Sequence, residues 1–294
     1  MKKIFLLFAS LMMCCSVLCA AEKQREIHVN NPVEFIQALG SDRIVIVDWD
    51  IDFNDELTEI HNFNQKLLPT GDKYDENIGK KGEKCFIYNN TDGPELVLAG
   101  YKNLTIKGES KRSRTLLRIR PRYAYVLNFI NCQDIHIENL VMGHTDEGYC
   151  DGGVLSFDYC QDIHIDNCDL YGCGTEGIGS RQTERLTMTN SQIRDCSYQI
   201  MTLNSCKDFM FERCFFFRNR QYSLFNIHQS SNIHFLDCNI THNEGPLFNT
   251  ADNEALVFEK CNIMHSIENR GIDYDVLYKQ CCITDEYGVK RDKE

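Results

Sequence analysis

Residues 132–140 read CQDIHIENL, and residues 160–168 read CQDIHIDNC. Degraded copies follow the same frame: YKNLTIKGE from Tyr101, TERLTMTNS from Thr183, CKDFMFERC from Cys206, SSNIHFLDC from Ser230 and NEALVFEKC from Asn253. The successive spacings are 31, 28, 23, 23, 24 and 23 residues, a period that belongs to stacked solenoids. In every copy the fourth and sixth residues are large and apolar, as in Ile135 and Ile137, Ile163 and Ile165, or Phe209 and Phe211. Such alternation marks a strand with one buried face.

A second strand precedes each copy (YVLNFIN, GVLSFDY, GIGSRQT, IMTLNSC, LFNIHQS, LFNTADN), and a short third one follows (CDLYG, SQIRD, CFFFR, CNITH). Three strands in about 23 residues, with no helical period between them, predict one coil of a right-handed parallel β-helix. The fold class is therefore all-β. Seven coils stacked ~4.8 Å apart give a core of roughly 30 Å.

The same alignment explains the cysteines. The ninth motif position reads Glu109, Leu140, Cys168, Ser191, Cys214, Cys238, Cys261; Cys173 and Cys196 share a second position, and Cys132, Cys160 and Cys206 a third. Ladder neighbours have parallel Cβ vectors ~4.8 Å apart, beyond the ~3.5–4.5 Å of a relaxed disulfide. The thiols are expected free and buried. With no CxxC pair and no tetrahedron available from a ladder, no metal is expected there. The eighth position (Gly108, Asn139, Asn167, Asn190) suits a left-handed turn. Adjacent Cys281 and Cys282 have no evident role.

The chain of 294 residues divides accordingly. Residues 1–21 read as an export signal, with Lys2 and Lys3 before an apolar run and a cut before Glu22. The rival reading is a bacterial lipoprotein acylated at Cys19, in the outer membrane. No later run is long enough to span a bilayer. Residues 22–52 form an N-terminal cap: Asn31 caps a helix that starts at Pro32, Val33, Phe35, Ile36 and Leu39 make its apolar stripe, Gly40 ends it, and RIVIVDW is a strand. Residues 53–100 are irregular coils with a long loop near NQKLLPTGDKYDENIGKKGEK. Regular coils fill 101–265, and 266–294 form a C-terminal cap and charged tail. Beyond the signal, 29 basic side chains face 43 acidic ones, which argues against a nucleic-acid partner.

The capping helix, the strand after it, ELVLAGYKNLTIKG and the 23-residue coils together resemble the pectin-lyase-like superfamily, and more narrowly the exported right-handed parallel β-helix repeat proteins of bacteria. That resemblance covers about residues 27–265. It implies a secreted or periplasmic protein that binds glycan or cell-envelope polysaccharide. The alternative it leaves open is a polysaccharide lyase or glycoside hydrolase acting on an acidic polysaccharide. No cofactor is implied, apart from calcium if the activity is a lyase. The superfamily's catalytic motifs do not carry over: only GHT at 143–145, NTAD at 249–252 and RIRPRY at 118–123 approach them.

Two over-long coils point to a site. Their extra residues are expected after the third strand, so that both insertions emerge side by side. The first, ESKRSRTLLRIRPRYA, holds Lys111, Arg112, Arg114, Arg118, Arg120 and Arg122; the second, HTDEGYCDGG, holds His144, Asp146, Glu147, Tyr149 and Asp151. Arginines beside carboxylates suit a uronate or sulfate. Asp151 and Glu176 would be the carboxylate pair of a glycosidase, with His144 handling a proton. Arg118, Arg120, Arg122, Asp146, Glu147, Tyr149 and Arg181 would hold substrate. The plainer reading is mutual neutralisation in weak surface salt bridges. A second candidate is the outward face of the strand before the motif, with Asn128, Ser156, Thr202, Asn226 and Asn249 in one column and Asp158, Arg181, Asn204 and His228 beside it. His136 and His164 read as solvated strand residues, because their column alternates with Thr105, Thr187, Met210 and Val257.

Overall fold

The structure, a computed structural model, describes residues 24–110, 113–145, 152–172, 174–265 and 276–284. The expected signal and Cys19 lie outside them. Three long sheets run the length of the core. Each coil gives one strand to each sheet, as in Leu127–Ile130 (sheet C), Gln133–Glu138 (sheet A) and Leu140–His144 (sheet B). The motif copies align residue for residue: Ile135 pairs with Ile163, Ile163 with Leu186, and so on to Leu256. This is a parallel β-helix, and the expected inward positions are all buried. Phe211, Phe235 and Phe258 stack through it, with ring centroids 4.7 and 4.4 Å apart.

The corners explain the residue types between strands. Asn139, Asn167 and Asn190 adopt φ of 58°, 52° and 50°, as expected for left-handed turns, whereas Gly108, where the first insertion begins, does not. A second left-handed position is the third of each motif, from Asn103, Asp134 and Asp162 to Ala255. The ladders carry a function beyond filling. Where the chain turns into sheet A, the Cys160 amide donates to Thr183 Oγ1 and that of Cys206 to Ser230 Oγ, while Thr183 Oγ1 donates to Phe157 O and Cys206 Sγ to Ser180 O. Cysteine, serine, threonine and asparagine thus share these columns because each meets backbone groups that the corner leaves unpaired.

Among the described residues the ladder cysteines are free. Burial pushes the Cys168 thiol up to about 12. Cys281 continues the ninth-position ladder, its Sγ donating to Phe258 O, while Cys282 faces outward. A thiol reagent is therefore expected to modify Cys282 quickly in the folded protein and to leave eight buried thiols untouched until unfolding. Mass spectrometry of alkylated, unreduced protein checks this; a disulfide between ladder neighbours would contradict it.

At the N-terminal end, β1 (Arg25–Val29) and β2 (Arg43–Val47) extend sheet A, and α1 (Pro32–Ala38) lies between them. Asn31 Oδ1 accepts the Glu34 amide, as expected of a cap. Val33 is exposed rather than part of the buried stripe, and the helix ends at Ala38, where Arg43 donates to the Ala38 and Leu39 carbonyls.

After β3 (Ile51–Asp52) the expected irregular coils contain a second helix, α2 (Glu56–Phe63), and an antiparallel hairpin of β4 (Lys84–Asn90) and β5 (Gly93–Ala99). Residues 64–83 fold over the outer face of sheet C. Ile78, Phe86, Val97, Ala99 and Ile130 form a second apolar cluster there. Gly79 and Gly100, both at positive φ, meet backbone to backbone, and a Cβ on either would lie within 2.4 Å of the other's backbone.

Two expectations are corrected. The first insertion lies mainly at 109–114, before the third strand Thr115–Ile119, because Leu140 pairs with Thr115. Thr115 rather than Glu109 therefore heads the ninth-position ladder. The repeat also does not stop at residue 265: Val276–Lys279 and Cys282–Thr284 add strands to sheets A and B.

Candidate functional site

Two arginines of the first insertion are held in ion pairs, and a third is fixed through its backbone amide. Arg118 pairs with Asp52 at 2.7 Å and Arg120 with Asp55 at 3.0 Å, while the Arg122 amide donates to Asp92 at 2.6 Å. They tie a corner of the helix to the N-terminal segment. Arg114 leaves at a different corner and donates to Asn167. His144 is buried at the end of its strand, with Nε2 donating to Ala124 O at 3.0 Å. Burial lowers its pKa, and it stays a neutral corner group. Asp146, Glu147, Tyr149 and Asp151, with Lys111 and Arg112, lie outside the described residues.

Glu176, Asp158 and Arg181 do come together, on the outer face of sheet C. The column expected there is present: Asn128, Ser156, Gly179, Thr202, Asn226 and Asn249 pair in turn, with Asp158, Arg181, Asn204 and His228 two residues along. His228 lies at the far end, its Nε2 hydrogen-bonded to Asn226 Oδ1.

A cleft of about 280 Å³ opens on this face. Its floor has no side chain at Gly179, over which Glu176 extends. A Cβ at residue 179 would stand 2.4 Å from Tyr125 Oη and 2.7 Å from Glu176 Oε1. The Glu176 carboxylate accepts from Tyr125 Oη at 2.5 Å, from Gln199 Nε2 at 2.7 Å and from Thr202 Oγ1 at 2.7 Å. Burial, then the Glu176 charge, pushes Tyr125 well above its usual range, so it acts as a neutral donor. Gly179→Ala is therefore expected to break the Tyr125–Glu176 bond and cost about 1–3 kcal/mol. Urea unfolding measures this, and wild-type stability would contradict it.

One wall of the cleft comes from the loop that covers sheet C. Lys73 donates to the fully buried Glu95 at 2.8 Å, and Asn128 Nδ2 donates to the other Glu95 oxygen. Tyr74 stands beside them, exposed. Tyr159 donates to Glu76 at 3.0 Å and pins the loop. Opposite, Arg181 pairs with Asp158 at 2.9 Å and lies over the Tyr159 ring. Burial raises the Asp158 carboxyl, with Arg181 opposing the shift.

Asp158 stands one strand across and two residues along from Gly179. With ~4.8 Å between strands and ~3.3 Å per residue, the Cα atoms of Asp158 and Gly179 stand roughly 8 Å apart. Two acids (Asp158, Glu176) and two bases (Lys73, Arg181) line the cleft, and both bases are already paired, Lys73 with the buried Glu95 and Arg181 with Asp158.

A second depression of about 350 Å³ adjoins the first along the column, lined by Gln199, Tyr222, Ser223, Asn226 and Asn249. Tyr222 is exposed and packs against Tyr198 at 5.0 Å. Gln199 links the two depressions through its bond to Glu176. From Asn128 to Asn249 the trough extends ~24 Å. Lys73, Tyr74, Glu95 and Tyr125 were not among the residues the sequence singled out. The first three lie in segments without the repeat, and Tyr125 sits one residue outside the regular alternation.

A family described as "Right handed beta helix region" matches residues 126–283. No curated protein matches the chain. Among solved structures, an alginate lyase from Paenibacillus sp. strain FPU-7 is 9% identical with a TM-score of 0.33, covering 87% of this chain and 98% of its own. The pectate lyase Pel9A is 8% identical with a TM-score of 0.42, over 82% of this chain and 64% of its own. The thermostable pectate lyase PL 47 is 12% identical with a TM-score of 0.39, over 94% and 83%.

Proposed function

We propose, for a chain that belongs to the right-handed β-helix family, that it binds a carbohydrate chain along the outer face of sheet C. The observation that carries this reading is the trough itself. Two exposed tyrosines, Tyr74 and Tyr222, flank a row of amides, hydroxyls and carboxylates set on a rigid sheet. Flat rings take the apolar face of a sugar, and fixed polar groups take its hydroxyls. The leader read in residues 1–21 would place the protein outside the cytoplasm, secreted or periplasmic, where such a glycan is met. Among the described residues no helix is long and apolar enough to cross a membrane.

The charge of the cleft selects the glycan. An acidic polymer would meet the Asp158 and Glu176 carboxylates and two cations already engaged, so the favoured ligand is neutral or carries amino groups. This also disfavours a lyase, which must neutralise a uronate before removing the adjacent proton. A hydrolytic reading has one observation in its favour: Asp158 and Glu176 face one cleft in unlike settings, the arrangement that separates an acid from a base. Asp158, its pKa raised by burial, would protonate the leaving oxygen. Glu176 would activate water.

The test incubates purified protein with a panel of neutral, amino-sugar and uronic-acid polysaccharides. Retention in native gels reads binding; new reducing ends read hydrolysis, and absorbance of unsaturated products reads elimination, with and without calcium. Retention by a neutral or amino-sugar polymer is expected. Absence of retention across the panel would overturn the reading, and unsaturated products would replace it with a lyase.

A further inference from the structure

The outer face of sheet A carries a different chemistry. Its column reads Thr105, His136, His164, Thr187, Met210, His234 and Val257, each paired with the next. At one step histidine follows histidine. The rings of His136 and His164 stack with centroids 4.6 Å apart and planes 24° apart. Asp134, in the left-handed conformation two residues earlier, turns its carboxylate back so that Oδ1 lies 2.9 Å from His136 Nε2. One ligand atom from each of Asp134, His136 and His164 lies within 4.8 Å of the others. The equivalent aspartate of the next coil, Asp162, is engaged by Arg185 through Nε at 2.6 Å and a terminal nitrogen at 3.1 Å. Asp134 instead has an imidazole as its partner.

We propose that Asp134, His136 and His164 form a binding site for one late first-row divalent cation, Zn(II), Ni(II) or Cu(II), spanning two successive coils. Two imidazoles and one carboxylate are the donor set these ions prefer, whereas calcium and magnesium take all-oxygen sites. Zinc holds nitrogen at ~2.0–2.1 Å and carboxylate oxygen at ~2.0–2.2 Å, so two donors on one tetrahedral ion stand about 3.4 Å apart. The present spread closes by about 1 Å or more through side-chain rotation, and the partial exposure of these side chains leaves room for it. Water completes the coordination from the solvent side. The main competing donors, the ladder thiols, are buried.

Because the ligands come from two coils, the ion binds the folded chain and staples it. At a free concentration 100 times Kd, the melting temperature is expected to rise by about 5 °C. The experiment uses untagged, chelator-stripped protein titrated calorimetrically with zinc and nickel chloride at neutral pH, with parallel melts. One equivalent of uptake is expected. It should be lost in His136→Ala and His164→Ala and weakened about 10–100-fold in Asp134→Asn, with far-UV circular dichroism and thiol protection unchanged. Calcium chloride should give neither heat nor a melting shift. Absent uptake, or uptake that persists in the doubly substituted His136→Ala/His164→Ala protein and so belongs to Cys282 or elsewhere, would overturn the site. Its failure leaves the glycan trough untouched, since the two lie on different sheets.

Discussion

Phe235→Ala lowers the stability of the folded chain by about 3–5 kcal/mol, the largest effect expected of any single core substitution. Phe235 is fully buried between Phe211 and Phe258 and also meets Phe216 and Phe225 edge-on. Removing the ring opens a cavity that neighbouring coils cannot close, because their strands are fixed in register by hydrogen bonds on both sides. The loss is read as a shift of the urea midpoint. In a solenoid each coil touches chiefly its neighbours, so an early transition confined to the C-terminal coils is also expected in hydrogen exchange. A cost under 1 kcal/mol would show that the ring stack is not what holds these coils together.

Glu176→Gln carries the largest functional effect. Its carboxylate accepts from Tyr125, Gln199 and Thr202, and an amide in its place turns a donor toward donors. The cleft floor then loses its arrangement, and glycan binding falls about tenfold or more, a loss of at least ~1.4 kcal/mol. If the retained glycan is also cleaved, the rate falls by about 10²–10⁴ through loss of the base. Binding isotherms and rates measured on protein with a wild-type circular dichroism spectrum check both. Wild-type binding in this variant would remove Glu176 from the site.

The repeat made the core legible. Alternation at Ile135 and Ile137 and its echoes located sheet A, and spacing located the other two sheets. The cysteine ladders were readable as free thiols because parallel stacking fixes a separation unsuited to disulfides. Their hydrogen-bonding task was not, since it appears only when Thr183, Ser230 and Asn253 are seen to fill the same column as Cys160 and Cys206.

The site was half legible. Asp158, Arg181 and the Asn128–Asn249 column could be placed by register alone, whereas Glu176, expected beside Asp151, shares the inward parity of Ile178 and reaches the cleft over Gly179. The arginine-rich insertion misled, because composition does not reveal that Asp52, Asp55 and Asp92 already engage it. Lys73 and Tyr74 were hidden because residues 64–83 fold over the sheet through long-range packing of Ile78 and Phe86, and Glu95 because its strand joins the sheet from outside the repeat.

The rings of Tyr74 and Tyr222, which flank the trough on sheet C, decide whether a glycan lies along it. Affinity electrophoresis of the wild-type protein and of a Tyr74→Ala/Tyr222→Ala variant, run in gels containing the polysaccharide that retards the wild type, compares them without assuming catalysis. Both side chains are more than half exposed, so the variant should fold normally. Strong retardation of the wild type and at least a tenfold weaker interaction for the variant is the predicted result. Equal retardation of the two proteins would contradict the account.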